Sequence, residues 1–118
     1  MARKILVVDD EQDIRSFMTT LLEDNGYEVR TAGKGHEAFA AVQEDRPDLV
    51  LLDLQMPEGT GTDFYRKMHS KKELQDIPVI VISGVAGRKV AVSKSVVVLD
   101  KPLDEKLVLE EIKKALSE

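Results

Sequence analysis

The stretch KILVVDDEQD, residues 4–13, joins a short apolar run to two adjacent aspartates. Ile5–Val8 is continuous and rich in β-branched side chains, which predicts a strand buried on both faces. Such a strand needs only one polar residue to end it, and a helix behind it needs only one cap. The second carboxylate is therefore surplus to local structure, and its purpose has to come from the rest of the chain.

Working outward, Ile14, Phe17, Met18, Leu21 and Leu22 recur at helical spacing, with Gly26 placed to cap the helix end. YEVRTA (27–32) alternates and reads as a second strand, nearer an edge. KGHEAFAAVQED (34–45) is a second helix with a small apolar face of Ala38, Ala41 and Val42, ended by Pro47. LVLLDL (49–54) is another buried strand, PEGTG (57–61) a loop, and TDFYRKMHSKKEL (62–74) a third helix carrying Phe64 and Met68. PVIVIS (78–83) and VVVL (96–99) read as buried strands four and five. LDEKLVLEEIKKALSE (103–118) is an amphipathic helix through Val108, Ile112 and Ala115, with acids early and Lys113 and Lys114 late, as the helix dipole favours.

Alternating strands and helices predict an α/β domain over residues 1–118, a doubly wound parallel sheet covered on both faces. The crossover GVAGRKVAVSKS (84–95) is near the minimum length for joining parallel strands, so its fourth helix is expected to be shortened or irregular. With 17 Lys and Arg against 22 Asp and Glu, the net charge is −5, which argues against direct nucleic-acid binding. There is no cysteine, so disulfide, thiol and cysteine-zinc chemistry are excluded. The apolar runs are too short to span a bilayer, and acids follow the basic start too soon for a secretory signal. A cytoplasmic domain with no membrane partner is the expectation.

A five-stranded doubly wound sheet commonly takes the order 2-1-3-4-5, with ligands bound where strands one and three diverge. That order brings Asp9 and Asp10, Asp53, Ser83 and Lys101 to one sheet edge from four chain segments. Alone, Asp10 also reads as a helix N-cap, Asp53 as a turn residue, Ser83 as a loop hydroxyl and Lys101 as a solvated charge. Their joint position is harder to dismiss. Neighbouring carboxylates repel unless a cation neutralises them, and hard oxygen ligands without His or Cys point to Mg²⁺. Asp53, central in the group, is then the candidate nucleophile for a phosphoryl group, with Asp9 and Asp10 on the metal side. Lys101 would neutralise a phosphoryl oxygen and Ser83 would hydrogen-bond another.

VVDDEQD, LLDLQMPEGTG, VIVISG and LDKP, in this order and spacing, resemble the receiver domain of two-component response regulators, the CheY-like superfamily. The resemblance covers essentially the whole chain. It implies a flavodoxin-like (βα)₅ domain that takes a phosphoryl group from a sensor histidine kinase or histidine phosphotransfer protein, with Mg²⁺, and switches its contacts with a downstream protein. By motif, Asp9 and Asp10 match the acidic pair, Asp53 the phosphoacceptor, Ser83 the hydroxyl that moves, and Lys101 the family's lysine. The resemblance also implies that the backbone carbonyl of Gln55 completes the metal shell and that Pro102 follows a cis peptide. Met56, Pro57 and Gly61 match the loop that shapes the pocket.

Two departures accompany these matches. The switch position three residues before the lysine, usually aromatic, is Val98, so an inward-turning ring cannot be the signalling step. The crossover is also about one helical turn short. Two other functions compete. A receiver-like binding module could respond to partners without phosphorylation. A haloacid-dehalogenase-type phosphohydrolase would carry a second acid two residues after the nucleophile, where this chain has Gln55. The expectation is a signalling domain rather than an enzyme, its only chemistry its own phosphorylation and dephosphorylation. His36 and His69 read as surface residues, and Gly33 and Gly35 as a turn before the second helix.

Overall fold

The central strands of this protein carry unbroken apolar runs because their two faces meet two different helical layers. The computed structural model describes residues 2–54, 56–57, 60–84 and 97–118. Strands β1 (Lys4–Val8), β2 (Glu28–Ala32), β3 (Leu49–Asp53), β4 (Val79–Ser83) and β5 (Val97–Asp100) form one parallel sheet in the order β2-β1-β3-β4-β5. Leu6, Val8, Val50, Leu52 and Val81 pack with α2 (Gly35–Glu44) and α3 (Thr60–His69). Ile5, Val7, Leu49, Leu51, Ile80 and Ile82 turn the other way, onto α1 (Gln12–Asp24) and α4 (Glu105–Ala115). The pleat sorts neighbouring residues to opposite layers, which is how an unbroken apolar run serves a doubly wound sheet.

The expected α/β flavodoxin-like architecture and strand order are present, and the helix ends follow sequence signals. Gly26 has φ +89°, and the Gly26 and Tyr27 amides donate to the carbonyls of Glu23 and Leu22, closing α1 in a Schellman turn. Asp104 caps α4 by accepting from the Lys106 and Leu107 amides at 2.9 and 3.2 Å. No helix among the described residues is long and apolar enough to cross a membrane.

Three elements differ from expectation. Strand β5 is an edge strand with only Leu99 buried, and Val97 and Val98 are 38% and 39% exposed. An apolar run shows affinity for a sheet but not the strand's place in it. Helix α3 begins at Thr60 and ends at His69, and the last part of the expected helix forms turns that bury Leu74. In the last helix Ala115 is exposed and Leu116 is buried in its place, because the apolar stripe of Val108 and Ile112 continues one residue later. The shortened helix expected within 84–95 lies outside the described residues apart from Gly84, as do Val96 and Gln55.

Candidate functional site at the strand ends

The sheet register sets the site. Val8 pairs with Leu52, so Asp9 and Asp53 are the next residues on neighbouring strands. Asp53 pairs with Ile82 and Ser83 pairs with Asp100, so Ser83 and Lys101 follow at the next step along the same edge. The Lys101 amide also donates to the Ser83 carbonyl at 2.8 Å, tying the lysine's backbone to the serine's strand end. The Lys101–Pro102 peptide is cis.

Asp9, Asp10 and Asp53 each offer a carboxylate oxygen, all within 4.8 Å of one another, with Asp9 and Asp53 buried and Asp10 exposed. Asp9 Oδ1 accepts the Glu11 amide at 2.9 Å, but Asp9 Oδ2 is buried without a hydrogen-bond partner among the described residues. The Asp9 carbonyl accepts from Arg15 Nη1 at 2.7 Å. A Cβ built on Gly33 would lie 2.9 Å from the same Nη1, so the bare glycine makes room for that guanidinium. Ser83 is buried, at the end of β4 beside the group.

Lys101 brings an ammonium to the carboxylates. Its Nζ lies 3.2 Å from Asp9 Oδ2 and 3.6 Å from Asp53 Oδ2, yet its shortest pairing is with Glu11 Oε1 at 2.9 Å. Burial alone would push this ammonium down, but the Glu11 hydrogen bond and the charges of Asp53 and Asp9 outweigh it and hold it well above the ordinary lysine value.

Glycines bring α2 and α3 close to this edge. A Cβ on Gly61 would sit 2.3 Å from the Asp53 backbone oxygen, and one on Gly35 would sit 2.3 Å from that of Thr60. The close approach explains why PEGTG, which reads as loop, gives its last residues to a helix. Met56 is buried in the core layer shared with α2 and α3, and Pro57 is exposed.

The structure thus gathers Asp9, Asp10, Asp53 and Lys101, and sets Ser83 at the adjoining strand end. Sequence reasoning missed Glu11 and Arg15. Four residues apart at a helix start, they read as an ordinary i,i+4 pair. Each instead reaches away from the other, to Lys101 and to the Asp9 carbonyl. Asp10 is not the N-cap of α1; Glu11 occupies that place, and its side chain does not cap.

The model for the response regulator receiver domain matches residues 5–116. Rrf1 of Nitratidesulfovibrio vulgaris is 35% identical over 117 residues, covering 99% of this chain and 85% of that protein. The phosphate regulon transcriptional regulatory protein PhoB of Escherichia coli is 39% identical over 83 residues, 70% of this chain but 36% of PhoB. Among solved structures, the chemotaxis protein CheY4 of Vibrio cholerae superimposes with a TM-score of 0.85 at 28% identity, covering 98% of this chain and all of that one.

Proposed function

The chain belongs to the response regulator receiver domains of two-component phosphorelay signalling, and we propose that Asp53 is its phosphoacceptor, charged with Mg²⁺ held by Asp9, Asp10 and Asp53. The observation that carries this reading is the buried Asp9 Oδ2, which has no hydrogen-bond partner among the described residues, beside two more carboxylates within 4.8 Å. The one ammonium that the described residues bring to these acids does not balance three carboxylates at that spacing, and an all-oxygen donor set of this kind fits Mg²⁺. Asp10, exposed at the rim, suits a cation that keeps part of its water. The Gln55 carbonyl, outside the described residues, is the remaining protein ligand in this proposal.

Bound there, the cation would offset the charge on the transferring phosphoryl oxygens. The chain's own residues do the rest. An Asp53 carboxylate oxygen attacks phosphorus, and the P–O bond forms as the P–N bond of a donor phosphohistidine breaks. The electron pair of that bond leaves with the imidazole, which takes up a proton. Lys101, near Asp53 Oδ2, neutralises one phosphoryl oxygen, and the Ser83 hydroxyl moves to donate to another. Water attack on the aspartyl phosphate returns carboxylate and inorganic phosphate, so the domain acts as a switch with no separate substrate. The donor is a histidine kinase or histidine phosphotransfer protein of the cytoplasm, and the receiver of the signal is a downstream protein. With valine at position 98, the signal does not pass through a turning aromatic ring.

Incubation with acetyl phosphate or phosphoramidate, with and without Mg²⁺, tests the assignment by intact mass. The expected result is a Mg²⁺-dependent gain of one phosphoryl group, absent in Asp53→Asn. A folded protein that gains none under any condition refutes it and favours a module that responds to partner contact alone.

A further inference from the structure

Lys101 is divided between two jobs that exclude one another. As a phosphoryl ligand its ammonium has to reach the group on Asp53. As a counter-ion it would close on Asp9 and Asp53 and occupy the oxygens a divalent cation needs. In the structure it does neither fully. Its side chain is only 17% exposed, yet its nearest acceptor, at 2.9 Å, is the Glu11 carboxylate, whose side chain is 58% exposed. Two buried carboxylates stand farther from it, at 3.2 and 3.6 Å. The Asp9 contact also lacks hydrogen-bond geometry, since Asp9 Oδ2 has no hydrogen-bond partner among the described residues. Glu11 is fixed for this role by its backbone, because its amide donates to Asp9 Oδ1.

Resting on the assignment of Asp53 and the metal site above, we infer that Glu11 is a positioning residue that holds Lys101 at the mouth of the site, in the longer ion pairs with Asp9 and Asp53, and so keeps its ammonium from closing on them in the place of a divalent cation. Arrival of the phosphoryl group supplies a closer acceptor, and Lys101 exchanges Glu11 for it. Electrostatics favour the exchange, because a phosphoryl group brings more negative charge and more acceptor oxygens to the ammonium than the single Glu11 carboxylate does. Glu11 thus acts through Lys101 and touches neither phosphorus nor metal.

Loss of Glu11 would remove the outward hold, and Lys101 would settle on Asp9 and Asp53. The test is the Mg²⁺ affinity, by calorimetric titration, of four proteins: the parent, Glu11→Gln, Lys101→Met and the double variant. Glu11→Gln is expected to weaken Mg²⁺ roughly tenfold in the parent. In the Lys101→Met background only a screened charge is lost, and the effect should shrink to about twofold. Equal effects in both backgrounds, or no weakening in the parent, overturn the inference. A second readout is the rate of labelling by acetyl phosphate. Glu11→Gln should be slow at low Mg²⁺ and recover at saturating Mg²⁺; a deficit that persists at saturation refutes the holding role. Failure of the parent itself to be labelled would sink the phosphoacceptor reading instead, while the Mg²⁺ titrations would still decide the role of Glu11.

Discussion

Replacing Asp53 by asparagine should make the metal-free protein more stable while abolishing its chemistry. Asp53 and Asp9 are buried with carboxylate oxygens no more than 4.8 Å apart. At an effective dielectric constant of about 20, that spacing corresponds to a repulsion of about 3.5 kcal/mol. The Lys101 ammonium at 3.6 Å from Asp53 Oδ2 returns about 4.6 kcal/mol on the same scale. The two nearly cancel, and exposed Asp10 adds a further, water-screened repulsion. What remains is the cost of keeping a carboxylate out of water, several kcal/mol before its hydrogen bonds are counted. Asparagine keeps the shape and drops the charge. We expect Asp53→Asn to gain about 1–2 kcal/mol in EDTA, raising Tm by roughly 3–8 °C. Urea denaturation should show a higher midpoint at an unchanged slope. Mg²⁺ at a hundred times its Kd would then stabilise the parent by about 2.7 kcal/mol, and the variant by much less, closing or reversing the gap. A variant less stable than the parent in EDTA, or an equal Mg²⁺ response in both, would refute this account of the site.

Gly61→Ala places a methyl group 2.3 Å from the Asp53 carbonyl oxygen and 3.0 Å from Leu54 Cα, both backbone atoms that cannot turn aside. It should cost about 1–3 kcal/mol in urea denaturation and slow labelling of Asp53, since the strain moves that strand end. Alkaline pH gives a separate check. Burial, reinforced by the 3.0 Å hydrogen bond to Glu118, pushes the Tyr27 hydroxyl up, and Lys101 is also raised. Both groups hold their protons more tightly when folded, so the stability they lend is complete below their ordinary values of 10.0 and 10.5 and is lost as pH rises past them. Thermal melts from pH 8 upward should fall less steeply for Tyr27→Phe than for the parent once pH exceeds about 10; parallel curves would remove Tyr27 from the explanation.

Residues whose surroundings are set by chain-local rules were readable in advance. Ile5–Val8 and Leu49–Leu52 read as buried strands because every position faces one layer or the other, and Gly26 caps its helix as its type suggests. Asp9 and Asp53 were legible for a related reason: they end adjacent parallel strands, and the register leaves them side by side. Val97 and Val98 read as buried because a run of valines shows affinity for a sheet, yet β5 is the edge strand of the expected order and both are exposed. PEGTG reads as a loop, yet α3 starts within it because Gly61 closes on the Asp53 carbonyl and Thr60 on Gly35, tertiary contacts that override the turn preference. Glu11 escaped because its partner is 90 residues away, while a plausible local partner, Arg15, stands four residues along the same helix.

The adjacent aspartates that follow β1 can now be given separate tasks. Asp9 serves local structure with one oxygen, which accepts the Glu11 amide and turns the chain into α1, and leaves the other buried without a hydrogen bond among the described residues. Asp10 is exposed and is not the cap of α1, and no side-chain hydrogen bond ties it to the described residues. A design concerned only with folding would put an apolar side chain at the buried position, because a carboxylate taken out of water costs more than one ammonium 3.2 Å away returns. Asp9, Asp10 and Asp53 together make sense when a cation completes them. Glu11 and Lys101 make sense beside them when that cation has to enter a site whose own ammonium could otherwise fill it.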